Sequence, residues 1–245
     1  MCVGITDSIA GERYGISVAL AFHIIVQLFL DKRALSCSKL NFTAYQKVVK
    51  MASQKFQIPE EYKTQLRHVK SKDTRKDVEI LDSLTHHVPI TSEKNVWTYW
   101  HSGVQNMPAW SQRNIINWVR LHGPDWTVRV LDTVPNSPNH ALTWVAPEQL
   151  PEAFVKGTMT GPYVGPHSAD FLRGAALYTY GGVWMDVGCS LFRRLDKVCW
   201  DQLADENSAF TVATPFMFAQ YTANHFVASR KGDEFIGNWY FFFAT

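Results

Sequence analysis

Three charged residues, Asp170, Arg173 and Asp186, stand close together in an otherwise apolar part of the sequence. Asp170 and Arg173 are three positions apart, so in a helix they would lie on one face. Asp186 interrupts the apolar run VWMDV, where a carboxylate is costly unless a cation pairs with it. From the residues alone two interpretations stay open: an ordinary intrahelical ion pair with a turn-capping Asp186, or a ligand-binding cluster.

The ligand-binding interpretation has a definite chemistry. An Asp at the end of a strand can face a metal-bound diphosphate, because Mg²⁺ and Mn²⁺ prefer oxygen ligands and share their shell with phosphate. A neighbouring Asp can accept hydrogen bonds from sugar hydroxyls, and an Arg can hold a phosphate. Trp100 can stack on a flat base, although core packing is the commoner role of Trp. The sequence has no phosphate-binding glycine loop, serine-hydrolase motif or metal-spaced His pair.

The elements that must position these residues read as an α/β fold. NVWTYW (95–100) is short, β-branched and aromatic, which predicts a strand. PAWSQRNIINWVRLH (108–122) has helical periodicity, and WTVRVLD (126–132) alternates between apolar and polar residues like a strand. A strand, a helix and a strand in succession predict a βαβ unit and a mostly parallel sheet.

The charged residues fall on a second helix and strand. Ser168 is the predicted N-cap of a helix over 169–180, and Gly181 supplies the left-handed residue that ends it. The run 183–187 is then a strand, with Asp186 near its carboxyl end. Ligands of open α/β sheets bind at that end of the strands.

Composition limits the class of protein. The 245 residues, 46% of them hydrophobic, suit one α/β domain with or without an appendage. The net charge of +2 gives no sign of a nucleic-acid partner and does not exclude an acidic substrate. The cysteines lack Cys-x-x-Cys or zinc spacing, so free thiols are expected, with a Cys189–Cys199 bridge as the alternative.

One apolar segment, ISVALAFHIIVQLFL (16–30), resembles a membrane helix. It is shorter than the roughly 20 residues that a span needs. Lys32 and Arg33 follow it, which by the positive-inside rule would keep the rest of the chain cytosolic. A membrane anchor and a buried or appended helix both stay open. Localisation is correspondingly open between the cytoplasm and the Golgi or another endomembrane.

The change in composition along the chain predicts its organisation. Residues 1–55 are interpreted as an N-terminal appendage that contains the apolar segment. Residues 56–92 are polar and charged and are interpreted as a helical lead-in. Residues 93–245 are interpreted as the functional domain.

The block SADFLRGAALYTYGGVWMDVG (168–188) resembles a known signature: S-D-x-x-R, a helix, then G-G-x-x-x-D-x-D. This is the signature of sugar-nucleotide transferases. More closely, the chain resembles the capsular polysaccharide synthesis branch of glycosyltransferase family 32. NVWTYWHSG, LFRRLD and NHFVASRKG resemble other segments of that family, and the resemblance covers residues 93–243.

The resemblance implies a Rossmann-like GT-A fold and a donor site. Asp170 and Arg173 would contact the sugar and nucleotide of the donor. Gly181 and Gly182 would let the backbone approach the donor, and Trp100 would stack near its base. The implied reaction transfers a sugar from a nucleotide-sugar donor to a glycan or another hydroxyl acceptor, with retention of anomeric configuration.

The resemblance also implies a divalent cation, Mn²⁺ or Mg²⁺. Asp186 matches the first Asp of D-x-D, so it would be the catalytic residue and the metal ligand. Gly188 stands where the second Asp is expected, which weakens the implied metal site. A catalytically weak relative that only binds a nucleotide sugar or glycan is therefore an alternative, and a membrane-associated interaction protein is a second. Family members usually continue past the aromatic run NWYFFFAT (238–245), so a shortened C-terminal part is expected.

Overall fold

The computed structural model of this chain describes residues 60–63 and 70–244. The appendage predicted for residues 1–55, with its apolar segment 16–30, lies outside these ranges, and the domain limits remain predictions. No helix within the described ranges is long and apolar enough to cross a membrane. Helix α1 (Glu60–Lys63) belongs to a separate compact unit and is a single turn with an exposed Lys63–Glu60 ion pair.

A five-stranded sheet forms the centre of the main unit, in the order β2-β1-β3-β7-β4. Its strands are β1 (Asn95–Tyr99), β2 (Thr127–Leu131), β3 (Gly182–Met185), β4 (Val212–Ala213) and β7 (Phe226–Ser229). Strands β1, β2 and β3 are parallel, whereas β7 and β4 are each antiparallel to their neighbour. A separate hairpin consists of β5 (Phe216–Met217) and β6 (Tyr221–Thr222).

Helices cover the sheet and fill the connections. They are α2 (Asp77–Ser83), α3 (Ala109–His122), α4 (Ala141–Trp144), α5 (Glu152–Val155), α6 (Val164–Tyr180), α7 (Asp201–Leu203) and α8 (Glu234–Ala244). Two 3₁₀ turns, Val104–Asn106 and Pro147–Gln149, and one π-helical turn, Asp196–Trp200, complete the described elements.

The predicted βαβ unit is confirmed as β1, α3 and β2. Val96 of β1 pairs with Val128 of β2 and, on the other side, with Val183 of β3, so β1 is central among the parallel strands. The α/β class is therefore confirmed. The antiparallel strands β7 and β4 were not predicted, because both are short and lack a strong alternating pattern.

Alternate residues of each strand point to opposite faces of the sheet, which gives two cores. One core contains Val96, Val128, Val183 and Met185 and packs against α2 and α3. The other contains Trp97, Leu131, Trp184 and Val227 and packs against α6 and α8. The result is a three-layer arrangement. Helix α6, which contains Asp170 and Arg173, packs against β3 in the second of these cores.

Arg129 of β2 is a charged residue inside the protein. Its side chain is buried, with the guanidinium carbon 5.4 Å from the Trp97 ring centroid and 4.8 Å from that of Trp144. It donates to Asn95 Oδ1 at 2.9 Å and to backbone carbonyls of the segment before β1. Burial lowers its pKa to about 10. The aromatic faces and the carbonyls stabilise this cation. The bonds from Arg129 to those carbonyls hold the segment before β1 against the sheet.

Helix α6 begins earlier than predicted. It starts at Val164, and Ser168, predicted as its N-cap, lies inside the helix with its hydroxyl donating to the Val164 carbonyl at 2.7 Å. Pro166 is compatible with this start, because the first turn of a helix needs no intrahelical N–H bonds. Gly181 ends the helix with a φ of 68°, as predicted.

Helix α8 contains most of the C-terminal aromatic run and packs directly on α6. A Cβ added to Gly174 of α6 would lie 2.8 Å from Tyr240, and one added to Gly237 of α8 would lie 2.8 Å from the Tyr178 ring. These glycines let the two helices approach closely. Ile236 and Tyr240 are buried in the contact, so the aromatic run belongs to a packed helix.

Candidate functional site

Asp186 directly follows Met185, the last residue of β3. Because β1, β2 and β3 are parallel, their carboxyl ends meet at one edge of the sheet, and Asp186 lies at that edge. Its backbone N–H donates to the carbonyl of His225, just before the antiparallel strand β7, at 2.8 Å. The position of Asp186 is therefore fixed by backbone pairing on both sides of β3.

Arg173 is the cation that pairs with Asp186. Its Nη2 lies 3.1 Å from Asp186 Oδ1, and its Nη1 lies 2.7 Å from Asp170 Oδ1. The Arg173 side chain is only 2% exposed, and its guanidinium carbon lies 5.4 Å from the Trp184 ring centroid. Trp184 Nε1 also donates to Asp186 Oδ1, at 2.9 Å. The three charged residues therefore form one cluster, which we call the carboxylate–arginine cluster.

The carboxylates of this cluster remain accessible although the arginine is not. The side chains of Asp170 and Asp186 are 38% and 42% exposed. In each, Oδ1 accepts the bond from Arg173, and no bond to Oδ2 is found within residues 60–63 and 70–244. Two carboxylates against one guanidinium give the cluster a formal charge of −1. It therefore presents acceptor oxygens, not a free cation, to solvent.

A cleft of about 930 Å³ opens over the cluster. Its lining includes the carboxyl end of β1, the start of α6 and the turn after β3. Among the described residues, three of its lining side chains have buried polar atoms without a partner: Thr98 Oγ1, Trp100 Nε1 and Arg173 Nε. Buried polar atoms are usually paired, so the floor of this cleft has hydrogen-bonding capacity that the protein leaves unused.

Trp100 lies between the core and the cleft. Its ring packs against the core on the α3 side of the sheet and also lines the cleft, 5.7 Å from the His101 ring. A ring held from one side by the core is well placed to offer its other surface to a flat ligand. Its role as a stacking platform stays a prediction.

Gly181 and Gly182 lie apart from the cluster, at the opposite end of β3. A Cβ on Gly182, which has a φ of 110°, would lie 2.3 Å from the Asn95 carbonyl oxygen. A Cβ on Gly181 would lie 2.7 Å from Glu93 Oε2 and from the Lys231 nitrogen. Protein atoms fill the space beside both glycines, and neither lines the cleft. We therefore assign Gly182 to the close approach of β3 to β1, and Gly181 to the close approach of the end of α6 to Glu93 and Lys231, in place of the predicted approach to the donor.

Gly188 lies in the turn that follows β3. The Cys189 N–H donates to the Asp186 carbonyl at 2.9 Å, which closes this turn, and a Cβ at Gly188 would meet nothing within 4 Å. A second carboxylate would therefore have fitted here. Within the described ranges, no group of three or more His, Cys, Asp or Glu side chains could hold a metal ion. The described residues alone therefore do not form a site for a divalent cation.

Cys189 borders the site with a buried thiol. Burial raises the pKa of its thiol to about 11, and the nearby Asp186 carboxylate acts in the same direction. The thiol is therefore protonated at neutral pH. Cys189 and Cys199 are both free, as expected from their spacing.

Sequence reasoning missed Asn224 as a site residue. Its Nδ2 donates to Asp170 Oδ1 at 3.3 Å, and it lines the cleft from the side of β7. The segment that it begins, NHFVASRKG, carried part of the family resemblance, which was the available signal. The position of Asn224 at the cleft was not apparent from the sequence, because β7 reaches β3 only through antiparallel pairing across the sheet.

The fold and the site together define a class of protein. It is a layered α/β domain with a polar cleft at the carboxyl edge of its parallel strands, where such folds bind their ligands. A family model described as capsular polysaccharide synthesis protein matches residues 44–244. The chain belongs to this family, which confirms the predicted capsular polysaccharide synthesis resemblance. The assignment to glycosyltransferase family 32 and the D-x-D-type motif stay predictions.

Curated relatives agree with that membership. The chain is 51% identical over 185 residues to a probable glycosyltransferase, FCK3, of Fusarium pseudograminearum, covering 76% of this chain and 47% of that one. It is 45% identical over 180 residues to glycosyltransferase afumC of Aspergillus fumigatus, covering 69% and 45%. It is 44% identical over 172 residues to O-glycosyltransferase braB of Annulohypoxylon truncatum, covering 68% and 41%. The chain spans about half the length of these relatives.

One solved structure also resembles the chain. It is the glycosyltransferase PaToxG, with 15% sequence identity and a TM-score of 0.40. The match covers 66% of this chain and 63% of PaToxG.

Proposed function

We propose that this chain forms the donor-binding part of a glycosyltransferase with a GT-A arrangement, which transfers a sugar from a nucleotide-sugar donor to a hydroxyl group. The observation that carries the proposal is the carboxylate–arginine cluster in the wall of the cleft. Its carboxylate oxygens can accept hydrogen bonds from the hydroxyls of a sugar or ribose. The names of the relatives support the reaction class, and one of them is called an O-glycosyltransferase.

Within this proposal the residues have separate tasks. Asp186 and Asp170 contact the donor through the oxygens that Arg173 does not use. Arg173 is a positioning residue: it is buried and already serves two carboxylates, so it orients them and does not itself bind a phosphate. Trp100 supports the base of the donor. This changes the predicted task of Arg173 and keeps the donor contacts predicted for Asp170, Asp186 and Trp100. Metal ligation by Asp186 and the donor contacts of Gly181 and Gly182 are not part of the proposal.

The proposed transfer does not require a nucleophile from the protein. The acceptor oxygen bonds to the anomeric carbon, and the bond from that carbon to the diphosphate breaks. The diphosphate leaves with the electron pair, and the hydroxyl proton passes to it or to water. The protein accelerates such a step chiefly by fixing charge and geometry around the reacting atoms.

The proposal assigns no task to a divalent cation. Two exposed carboxylates, each shared with Arg173, are a poor ligand set for Mn²⁺ or Mg²⁺, which need several oxygen ligands. We therefore derive no step through a metal ion.

Gly188 favours one competing function, a domain that binds a nucleotide sugar without transferring it. The position expected to carry a second carboxylate has none, although the turn has room for it. Such a domain would retain donor affinity and lack hydrolysis and transfer.

The test uses the full chain and a panel of nucleotide sugars: UDP-glucose, UDP-N-acetylglucosamine, UDP-galactose and GDP-mannose. Calorimetry measures donor binding, and release of nucleoside diphosphate measures turnover. Asp186→Asn is compared with Asp201→Asn, which changes an exposed carboxylate outside the cleft. Binding and turnover that only Asp186→Asn reduces support a transferase. Binding without turnover supports the non-transferring domain, and no binding of any donor contradicts both.

A further inference from the structure

A second cleft, of about 860 Å³, adjoins the first. The two clefts share two lining residues, Asp170 and Asn224. Asn224 Nδ2 donates to Asp170 Oδ1 at 3.3 Å, so these side chains form a polar junction between the clefts. A molecule in the second cleft would therefore reach the carboxylate–arginine cluster through this junction.

The second cleft differs from the first in chemistry. Large apolar and aromatic side chains from the β5–β6 hairpin, helix α8 and the segment before β4 line it: Phe210, Met217, Tyr221, Phe235 and Trp239. Its other polar side chains are threonines and His225. Asp170 is the one Asp, Glu, Lys or Arg among the described lining residues, and it lies at the junction.

We propose that this second cleft binds the acceptor, and that the acceptor is an uncharged hydroxyl-bearing molecule with an apolar, ring-containing body. This inference rests on the proposed function and specifies its acceptor. Aromatic side chains contribute affinity by stacking on rings, which favours a ring system over a flexible chain. The scarcity of charged groups along the walls disfavours phosphorylated or acidic acceptors, because a buried charge needs a partner.

A glycan acceptor fits the lining less well. Recognition of several sugar hydroxyls requires several fixed donors and acceptors, and charge-assisted bonds are the strong ones. Here the carboxylate and the amide are confined to the junction, so one polar end of the acceptor is recognised there. The geometry thus places a single hydroxyl at Asp170 and Asn224, facing the donor, with the apolar body among the aromatic side chains.

The experiment measures binding of two flat phenols, 2-naphthol and 4-methylumbelliferone, to the full chain by calorimetry, with lactose as a polar comparison. Tyr221→Ala and Phe235→Ala remove lining rings that are 52% and 62% exposed, so both variants are expected to fold. Phe218→Ala, in the same hairpin, and Phe192→Ala remove rings that are 75% and 83% exposed and outside the cleft. UDP affinity is measured on every variant.

We expect the phenols to bind more tightly than lactose and to bind roughly threefold to tenfold more weakly to the two cleft variants, as expected for the loss of one ring contact. The phenol affinity of the two control variants should equal that of the unmodified chain. UDP affinity should be the same in every variant. Preferential binding of lactose, failure of both phenols to bind, or equal phenol affinity in all variants would overturn the assignment of this cleft. Absence of UDP binding by the unmodified chain would count against the proposed function instead, and the phenol comparison would still decide the chemistry of the cleft.

Discussion

Arg173 Nη2 on helix α6 lies 3.1 Å from Asp186 Oδ1 at the end of β3, although a helix end and a strand separate the two residues in the chain. This bond joins the helix to the ligand edge of the sheet. Because Arg173 also bonds Asp170, it fixes the distance and orientation between two carboxylates that face one cleft. Variants of these residues should therefore separate effects on folding from effects on donor binding and turnover.

Asp186→Asn keeps the size of the side chain and removes its charge. We expect the melting temperature to change little, because the carboxylate is 42% exposed and an amide oxygen can still accept the bond from Trp184. Donor hydrolysis or transfer should fall by about a hundredfold, as for a group acting on transition-state charge. Steady-state kinetics on proteins of matched melting temperature checks this, and turnover equal to that of the unmodified chain would remove Asp186 from the site.

Arg173→Ala should destabilise the fold, since it leaves a cavity at a buried position and removes the cation that pairs with both carboxylates. We expect a loss of about 2–4 kcal/mol in the free energy of unfolding, measured by urea denaturation. Arg113→Ala is the control: its 70% exposed side chain pairs with Asp77 at the surface, and its loss should cost less than about 1 kcal/mol. Equal effects of the two variants would contradict the burial of Arg173.

Arg173→Lys tests positioning. Lysine keeps the charge but cannot present two fixed N–H groups to two carboxylates. We expect a smaller stability loss than for Arg173→Ala. Donor binding should be roughly tenfold weaker, because a carboxylate that Lys does not hold in place would lose one charged hydrogen bond to the donor. Calorimetric titration with donor gives the affinity. Unchanged affinity would show that the orientation of the carboxylates does not matter to the donor.

Gly182→Ala should be strongly destabilising, and Gly188→Ala should not. The new Cβ at Gly182 would lie 2.3 Å from the Asn95 carbonyl oxygen, at a φ of 110°, whereas the Cβ at Gly188 would meet nothing within 4 Å. We expect a loss of more than about 3 kcal/mol for the first, from backbone strain and displacement of β1. Urea denaturation of both variants measures the difference, and similar stabilities would contradict the packing role assigned to Gly182.

Gly188→Asp should strengthen the binding of Mn²⁺. The unmodified chain should bind the ion weakly without donor, because its described residues lack a full ligand set. The substituted side chain has open space in the turn that also contains Asp186. Calorimetry with Mn²⁺, with and without UDP, measures the change. Tight Mn²⁺ binding by the unmodified chain in the absence of nucleotide would reveal protein ligands elsewhere in the chain.

Stability should decrease in mild acid through His122. This histidine is buried, with Nδ1 2.9 Å from the Trp118 carbonyl oxygen and Nε2 accepting from the Leu195 N–H at 2.9 Å. Burial lowers its pKa below the ordinary 6.5 in the folded state. The unfolded chain therefore binds the proton more readily, and the stabilisation present above pH 6.5 is lost as the pH falls.

Urea denaturation between about pH 7 and pH 5.5 should show this loss as a falling free energy of unfolding. His122→Gln removes the titrating ring, so its stability should vary less steeply with pH, whereas the exposed His86→Gln serves as the matched control. An equally steep dependence in His122→Gln would assign the acid sensitivity to other groups.

The sequence by itself determined the local elements around the site. The periodicities at 95–132 predicted the β1–α3–β2 unit, and Gly181 marked the end of α6, because these features depend on short-range sterics and on which residues alternate. The spacing of Asp170, Arg173 and Asp186, with the family signature, also indicated a charged site at the carboxyl edge of β3.

Only the tertiary structure decided which partners these residues have. Arg173 is buried between two carboxylates, and Asn224 reaches Asp170 from the segment before β7, because strands distant in the chain become neighbours in the sheet. The close approach of β3 to β1 likewise accounts for Gly182. No local sequence pattern encodes that approach. A pattern along the chain specifies which face of an element is apolar, whereas contacts between elements follow from how the layers pack, and that is where the site and its second cleft arise.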